Sequence, residues 1–164
     1  CAEKPLVIYE PFEDAKFPNE GTYDTVFTSP PFFNFEIYVD GRENSTLAER
    51  QSIAHYDTFE SWMVGWLFPA LAKAWRHLRV GGHMAIHITD VNNCVVCEPM
   101  CLFIQWKLKR ARYVGCLGSE GAAGKARPIW VFRKEQQQLD EPQSSQAKAE
   151  DAMEKYYGSV CSAV

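Results

Sequence analysis

The sequence contains no run of 18 apolar residues, so no stretch is long enough to cross a bilayer as a helix. It carries no secretory leader pattern. It has no excess of positive charge: a net −4 at pH 7 gives the chain as a whole no pull toward nucleic acid. It has no complete phosphate-binding loop, because Gly121-Ala122-Ala123-Gly124-Lys125 lacks both the spacing and the helix that would have to follow Lys125. It also lacks a metal-ligand set. Cys94, Cys97 and Cys101 have no second pair or histidine to match them, and His83 and His87 share one strand face without a third ligand. Six cysteines without extracellular markers therefore read as reduced thiols of an intracellular protein, cytoplasmic or nuclear. Cys97 and Cys101 are spaced to share one face of a helix, as small buried side chains.

What is present is enough for one real core: 164 residues, 46% hydrophobic, with five Trp, seven Tyr and ten Phe. Residues 1–134 read as one α/β domain. From Glu135 the composition turns to Gln, Ser, Glu and Lys, with little to bury, so 135–164 reads as a polar linker or tail holding one short helix candidate over 149–157. Residue 1 is Cys and a strand-like run begins by Leu6, so the chain reads as the later part of a longer protein.

The β-branched run Leu6-Val7-Ile8-Tyr9 predicts a buried parallel strand, ending in the acidic loop Glu10 to Ala15. Thr25-Val26-Phe27 predicts a second short buried strand. Asp57 with Glu60 predicts a capping box. Beyond it Phe59, Trp62, Met63, Trp66, Leu67, Leu71, Ala74, Trp75 and Leu78 recur at steps of three and four. That is one amphipathic helix of about twenty residues, kinked or broken at Pro69 and closed by Gly81-Gly82. Met84 to Ile88 predicts the next strand, with Asp90 just past its end as a candidate substrate contact. Pro99 opens a helix reaching Arg110. Tyr113–Leu117 and Pro128–Phe132 predict a closing antiparallel hairpin around Gly118–Lys125. Between Lys107 and Lys134 stand eight basic residues and one acid, Glu120, either a solvated face or a local phosphate-binding patch.

The chemically distinctive stretch is Thr28-Ser29-Pro30-Pro31-Phe32. Two prolines fix φ twice and remove two donors. Ser29 and Pro30 both precede proline and are driven to extended conformations. The product is a stiff bracket at a strand end, the edge where open α/β sheets bind ligands. It presents a hydroxyl, free carbonyls and a ring.

The string Tyr23-Asp24-Thr25-Val26-Phe27-Thr28-Ser29-Pro30-Pro31-Phe32-Phe33 resembles the (Asp/Asn/Ser)-Pro-Pro-aromatic motif of the S-adenosylmethionine-dependent amino-methyltransferases, which act on exocyclic amines of adenine or cytosine. The segment Leu78-Arg79-Val80-Gly81-Gly82-His83 resembles the helix-to-strand passage of class I methyltransferases, with Val80 where Pro is usual. The resemblance covers roughly Leu6 to Arg133. It implies a Rossmann-like sheet that could lack its first strands and that ends in an antiparallel hairpin, with S-adenosylmethionine as cofactor. It implies Ser29, Pro30, Pro31 and Phe32 as the catalytic bracket, and Glu13, Asp14 and Ser29 as cofactor contacts. Ser29 Oγ and the Pro30 carbonyl would accept the amine hydrogens while Phe32 stacks on the base. Phe33 and Phe35 would line the base pocket, or else cap the core. The family's glycine-rich cofactor loop is absent and would lie before residue 1 or on another chain. The partner implied is a nucleic acid, DNA before RNA, through the basic stretch. Protein or small-molecule N-methylation, or an inactive subunit supporting an active partner in an oligomer, stand as the other readings.

Overall fold

The computed structural model describes residues 5–33, 51–91, 94–120 and 126–136. Four strands form one open mixed sheet: β1 (Tyr23–Thr28), β2 (Leu78–His87), β3 (Ala111–Glu120) and β4 (Ala126–Lys134), in the spatial order β1-β2-β4-β3. β1 runs parallel to β2, and β4 lies antiparallel between β2 and β3. The α/β class and the closing hairpin agree with the sequence. The helices are α1 (Ser52–His55), α2 (Phe59–Trp62), α3 (Phe68–His77) and α4 (Cys97–Lys107), with a π-helical segment, Met63–Leu67, joining α2 to α3. Among the described residues no helix is long and apolar enough to cross a membrane.

Strand periodicity sets the core. Leu78, Gly82, Met84 and Ile86 of β2, with Ile88 just beyond it, are buried, while the alternate His83, Ala85 and His87 are not. Met84 pairs with Val26 and Phe132, and Ile86 with Thr28 and Trp130, so one face of the sheet meets the helices. The aromatic stripe is core as expected: Trp62, Met63, Leu67, Leu71, Ala74 and Trp75 are all buried. On the other face Phe27 pairs with Ala85, which pairs with Val131, and Phe27 is 66% exposed.

The long helix is interrupted where Pro69 sits. In an α-helix the N–H of residue 69 would bond to the Gly65 carbonyl, and proline has none to give. The Tyr56 hydroxyl donates to that carbonyl instead, at 3.0 Å. The Tyr56 ring lies so close to Gly65 that a Cβ there would collide with it. The π turn is therefore where a missing donor and a packed ring are both accommodated.

Four expectations are corrected. Leu6–Tyr9 is largely exposed coil, not a buried strand: it has no ladder partner among the described residues, and Pro5 and Pro11 flank it. β1 is longer than expected and only partly buried at Val26 and Thr28, because no strand covers its outer edge among the described residues. The capping box is Thr58 with Ser61, one residue later than Asp57 with Glu60. Ser61 N donates to Thr58 Oγ1 at 3.1 Å and Thr58 N to Ser61 Oγ at 3.2 Å. Gly81 and Gly82 do not end the helix. α3 stops at His77, and the glycines lie inside β2, where Gly81 takes φ +81° and the pairing with β1 slips between Tyr23 and Thr25.

Asp90 is also reassigned. Its Oδ1 accepts from the backbone N–H groups of Val96 and Cys97, both at 2.8 Å, and so caps α4 from the preceding loop. Asp90→Ala should cost about 1–2 kcal/mol, the usual loss for a removed helix cap. Urea unfolding should show a lower midpoint at unchanged slope. An unmoved midpoint would assign the caps elsewhere.

Candidate active site at the ends of two parallel strands

Thr28 pairs with Ile86 in the parallel ladder. The next residue on each chain is Ser29 and His87, so both leave adjacent strand ends toward the same face. Ser29 Oγ and His87 Nδ1 lie 3.2 Å apart, with Ser29 exposed and His87 half-buried. The hydroxyl expected to face outward does so, and it carries an imidazole partner. The sequence marks His87 only as half of an incomplete metal pair. Among the described residues no group of three metal-ligating side chains exists.

The bracket turns the chain inward directly after this hydroxyl. Pro30 is buried and Pro31 half-buried. Phe32 and Phe33 are only 8% and 7% exposed. Phe32 meets the His87 ring edge-on, with centroids 6.2 Å apart. Phe33 adopts φ +45° and packs against Phe59 and Trp62, each at 5.8 Å. Phe33 is therefore core rather than pocket wall. Phe32 is likewise largely buried and sits against the imidazole rather than standing free in solvent. Both burials have one cause: an apolar ring following two prolines gains more from the adjacent helical layer than from solvent. Phe35 lies outside the described residues.

The acidic loop is tied to the helices. Asp14 and Ala15 donate backbone hydrogen bonds to the Pro11 carbonyl at 3.0 and 2.9 Å. Lys73 Nζ donates to the carbonyls of Phe12 and Glu13, both at 2.7 Å. Glu13 Oε1 accepts from the Trp66 indole at 3.1 Å, while the Asp14 side chain is exposed. Among the described residues no hydrogen bond or ring contact joins Glu13 or Asp14 to Ser29 or His87. Of the three cofactor contacts implied by the motif, Ser29 keeps a free polar face, Asp14 keeps a free carboxylate, and Glu13 has one oxygen engaged.

The cysteines serve packing. Cys97 is buried and Cys101 half-buried. Burial pushes the Cys97 thiol up to about 12, with the Asp90 side chain adding to the effect. Burial likewise pushes Cys101 up to about 11. Neither is therefore poised as a nucleophile near neutral pH. The basic stretch divides in two. Arg112 and Arg133 lie 2.8 and 3.9 Å from Glu135. Lys107, Lys109, Arg110 and Lys134 instead border a cleft. Lys125 lies outside the described residues.

No family model and no curated protein matches the chain. Solved structures do show a likeness. One is the 1,6-didemethyltoxoflavin-N1-methyltransferase of Burkholderia thailandensis, solved with 1,6-didemethyltoxoflavin and S-adenosylhomocysteine: TM-score 0.47, 10% identity, 79% of this chain and 50% of that one. Another is a candidate DNA modification methylase of Thermus thermophilus: TM-score 0.44, 21% identity, 79% of this chain and 53% of that one. A selenomethionine form of the latter gives 0.43, 19%, 79% and 54%. The chain thus spans about half the length of the structures it resembles.

Proposed function

We propose that the chain contributes the amine-gripping half of an S-adenosylmethionine-dependent N-methyltransferase acting on an exocyclic amine of a nucleic-acid base, DNA before RNA. The observation that carries this reading is the exposed Ser29–His87 pair, held at the C-terminal ends of two parallel strands by a buried Pro-Pro-Phe bracket. S-adenosylmethionine supplies a methyl group already activated by a positive sulfur.

An exocyclic amine is a poor nucleophile because its lone pair is conjugated into the ring. Ser29 can accept one of its hydrogens. With the ring hydrogen of His87 on Nε2, the Ser29 O–H donates to Nδ1 and both Oγ lone pairs face the amine. A hydrogen bond accepted there favours a pyramidal nitrogen and offsets the positive charge that develops on it. As the new N–C bond forms and the C–S bond breaks, the nitrogen carries one proton too many. His87, one hydrogen bond behind Ser29, is placed to receive that proton and pass it to solvent. Phe32 keeps the imidazole oriented. A duplex base would have to be flipped out to reach this edge.

The test is transfer of labelled methyl from S-adenosylmethionine to single-stranded DNA, duplex DNA, RNA and protein, together with direct binding of labelled S-adenosylmethionine. Methylated adenine or cytosine is the expected product. Label on protein alone would redirect the substrate assignment, and no binding of the donor would favour a supporting-subunit role.

A further inference from the structure

At the opposite end of β2 from His87, a cleft of about 580 Å³ opens where α3, α4 and β4 end. Its lining carries Lys73, Arg76, Lys107, Lys109, Arg110 and Lys134, with Glu20 as the one carboxylate among the described residues. Six cations against one acid leave five positive charges in one concavity of a chain whose net charge is −4. The rest of the lining is apolar: Pro69, Ala72, Trp75 and Leu108.

Part of this charge has a structural use. Arg76 and Lys107 stand in the last turns of α3 and α4, where the helix dipole favours cations. Lys134 Nζ donates to the carbonyls of Trp75 and Leu78 at 2.9 and 2.7 Å. Carbonyls satisfy donors but cancel no charge. Arg76 lies 4.0 Å from Glu20, with both side chains largely in solvent. Lys109 and Arg110 have no carboxylate partner among the described residues. Arg110 also adopts φ +66°, a left-handed conformation that is strained for a residue carrying a side chain. Burial lowers the Lys134 ammonium below its usual range, and Arg110 adds repulsion that Glu20 only partly opposes. Among the described residues the cations are brought together with no anion beyond Glu20 to balance them.

We propose that this cleft is a second, non-catalytic site that holds the sugar-phosphate backbone of the nucleic acid, the identity of the anion resting on the function proposed above. A backbone strand alternates anionic phosphates with less polar sugars, which matches a lining of cationic and apolar side chains. Measured along β1, whose Tyr23 pairs with Leu78 and whose Thr28 pairs with Ile86, about six strand steps, or about 20 Å, separate the start of β2 beside the cleft from Ser29 and His87. At 3.4 Å per base pair, a bound duplex would have to extend at least about six pairs from its target base to touch both sites.

The test compares Lys109→Gln/Arg110→Asn with Lys16→Gln/Arg127→Gln, a pair of equal charge outside the cleft; Asn tolerates the left-handed backbone at position 110. Binding of fluorescein-labelled 24-nucleotide single-stranded and duplex DNA is followed by anisotropy across a salt series, and thermal melts report folding. The cleft variant should bind about tenfold more weakly, and its slope of log K on log salt should shrink by about 1.4–1.8, two phosphate contacts. The control should stay within twofold. Equal losses in both variants, or none in the cleft variant, would overturn the site. So would a cleft variant that loses affinity for inorganic pyrophosphate but not for DNA, which would make it a small-anion site. If DNA binding depends on the cleft while no base is methylated, the cleft stands and the catalytic reading falls. If bases are methylated and the cleft variant leaves KM unchanged on long and short duplexes, the reverse holds.

Discussion

Ser29→Ala should reduce methyl transfer about 10²–10³-fold, the usual loss when one preorganised polar contact to developing charge is removed. The fold should survive, because Ser29 is exposed and its hydroxyl bonds to His87 rather than to the core. His87→Ala should cost a comparable factor, since it removes both the partner that aims the hydroxyl and the route for the departing proton. The two act as a unit, so the double variant should be little worse than either single one. Phe32→Ala should differ in kind: it opens the core beneath the imidazole and loses stability along with rate. Formation of S-adenosylhomocysteine under single-turnover conditions separates these cases. Ser29→Ala retaining rates within about threefold of the native chain would remove the hydroxyl from the chemistry, and additive losses would mean that Ser29 and His87 act independently.

What the sequence reveals, and what it hides, follows the range of each interaction. The stripe from Phe59 to Leu78 is legible because helical periodicity is local and Trp62, Leu67, Leu71 and Trp75 all answer to one buried face. The hairpin of β3 and β4 is legible for the same reason. Leu6–Tyr9 misleads because β-branched composition describes a residue's preference, whereas a strand also needs a neighbour to bond with. Gly81-Gly82 misleads because glycine serves a helix end and a strand irregularity equally well, and only the ladder with β1 distinguishes them. Asp57 and Thr58 are both competent caps one residue apart, and the extended φ and ψ of Thr58 decide between them. Ser29 is found from its motif, but His87 is not: the two are 58 positions apart and meet only through the register of two parallel strands. Phe32 shows the converse. Its motif suggests a stacking surface, and only the structure adds its contact with the imidazole behind the hydroxyl.

Trp62→Ala should be the most damaging substitution to the fold, and its effect should reach the site. The Trp62 ring is fully buried and lies near-parallel to Trp66 and Phe59, at 5.5 and 6.3 Å. Removing so large a buried side chain costs about 3–5 kcal/mol. Its indole N–H donates to Ser52 Oγ at 3.2 Å, and Ser52 is itself buried, so the truncation also strands a hydroxyl. Against a typical total of about 5–15 kcal/mol, the midpoint should fall by at least about ten degrees. Trp62→Phe keeps a ring in the stack and loses the hydrogen bond, so it should cost about 1–2 kcal/mol. Phe33 leans directly on Trp62, and Phe32 precedes it against His87. The truncated core should therefore loosen the bracket as well, lowering transfer per folded molecule at temperatures well below the midpoint. If Trp62→Ala melted within two degrees of the native chain, the helical layer would not be what anchors the bracket; if it melted early but kept full rate while folded, the bracket would be rigid through its prolines alone.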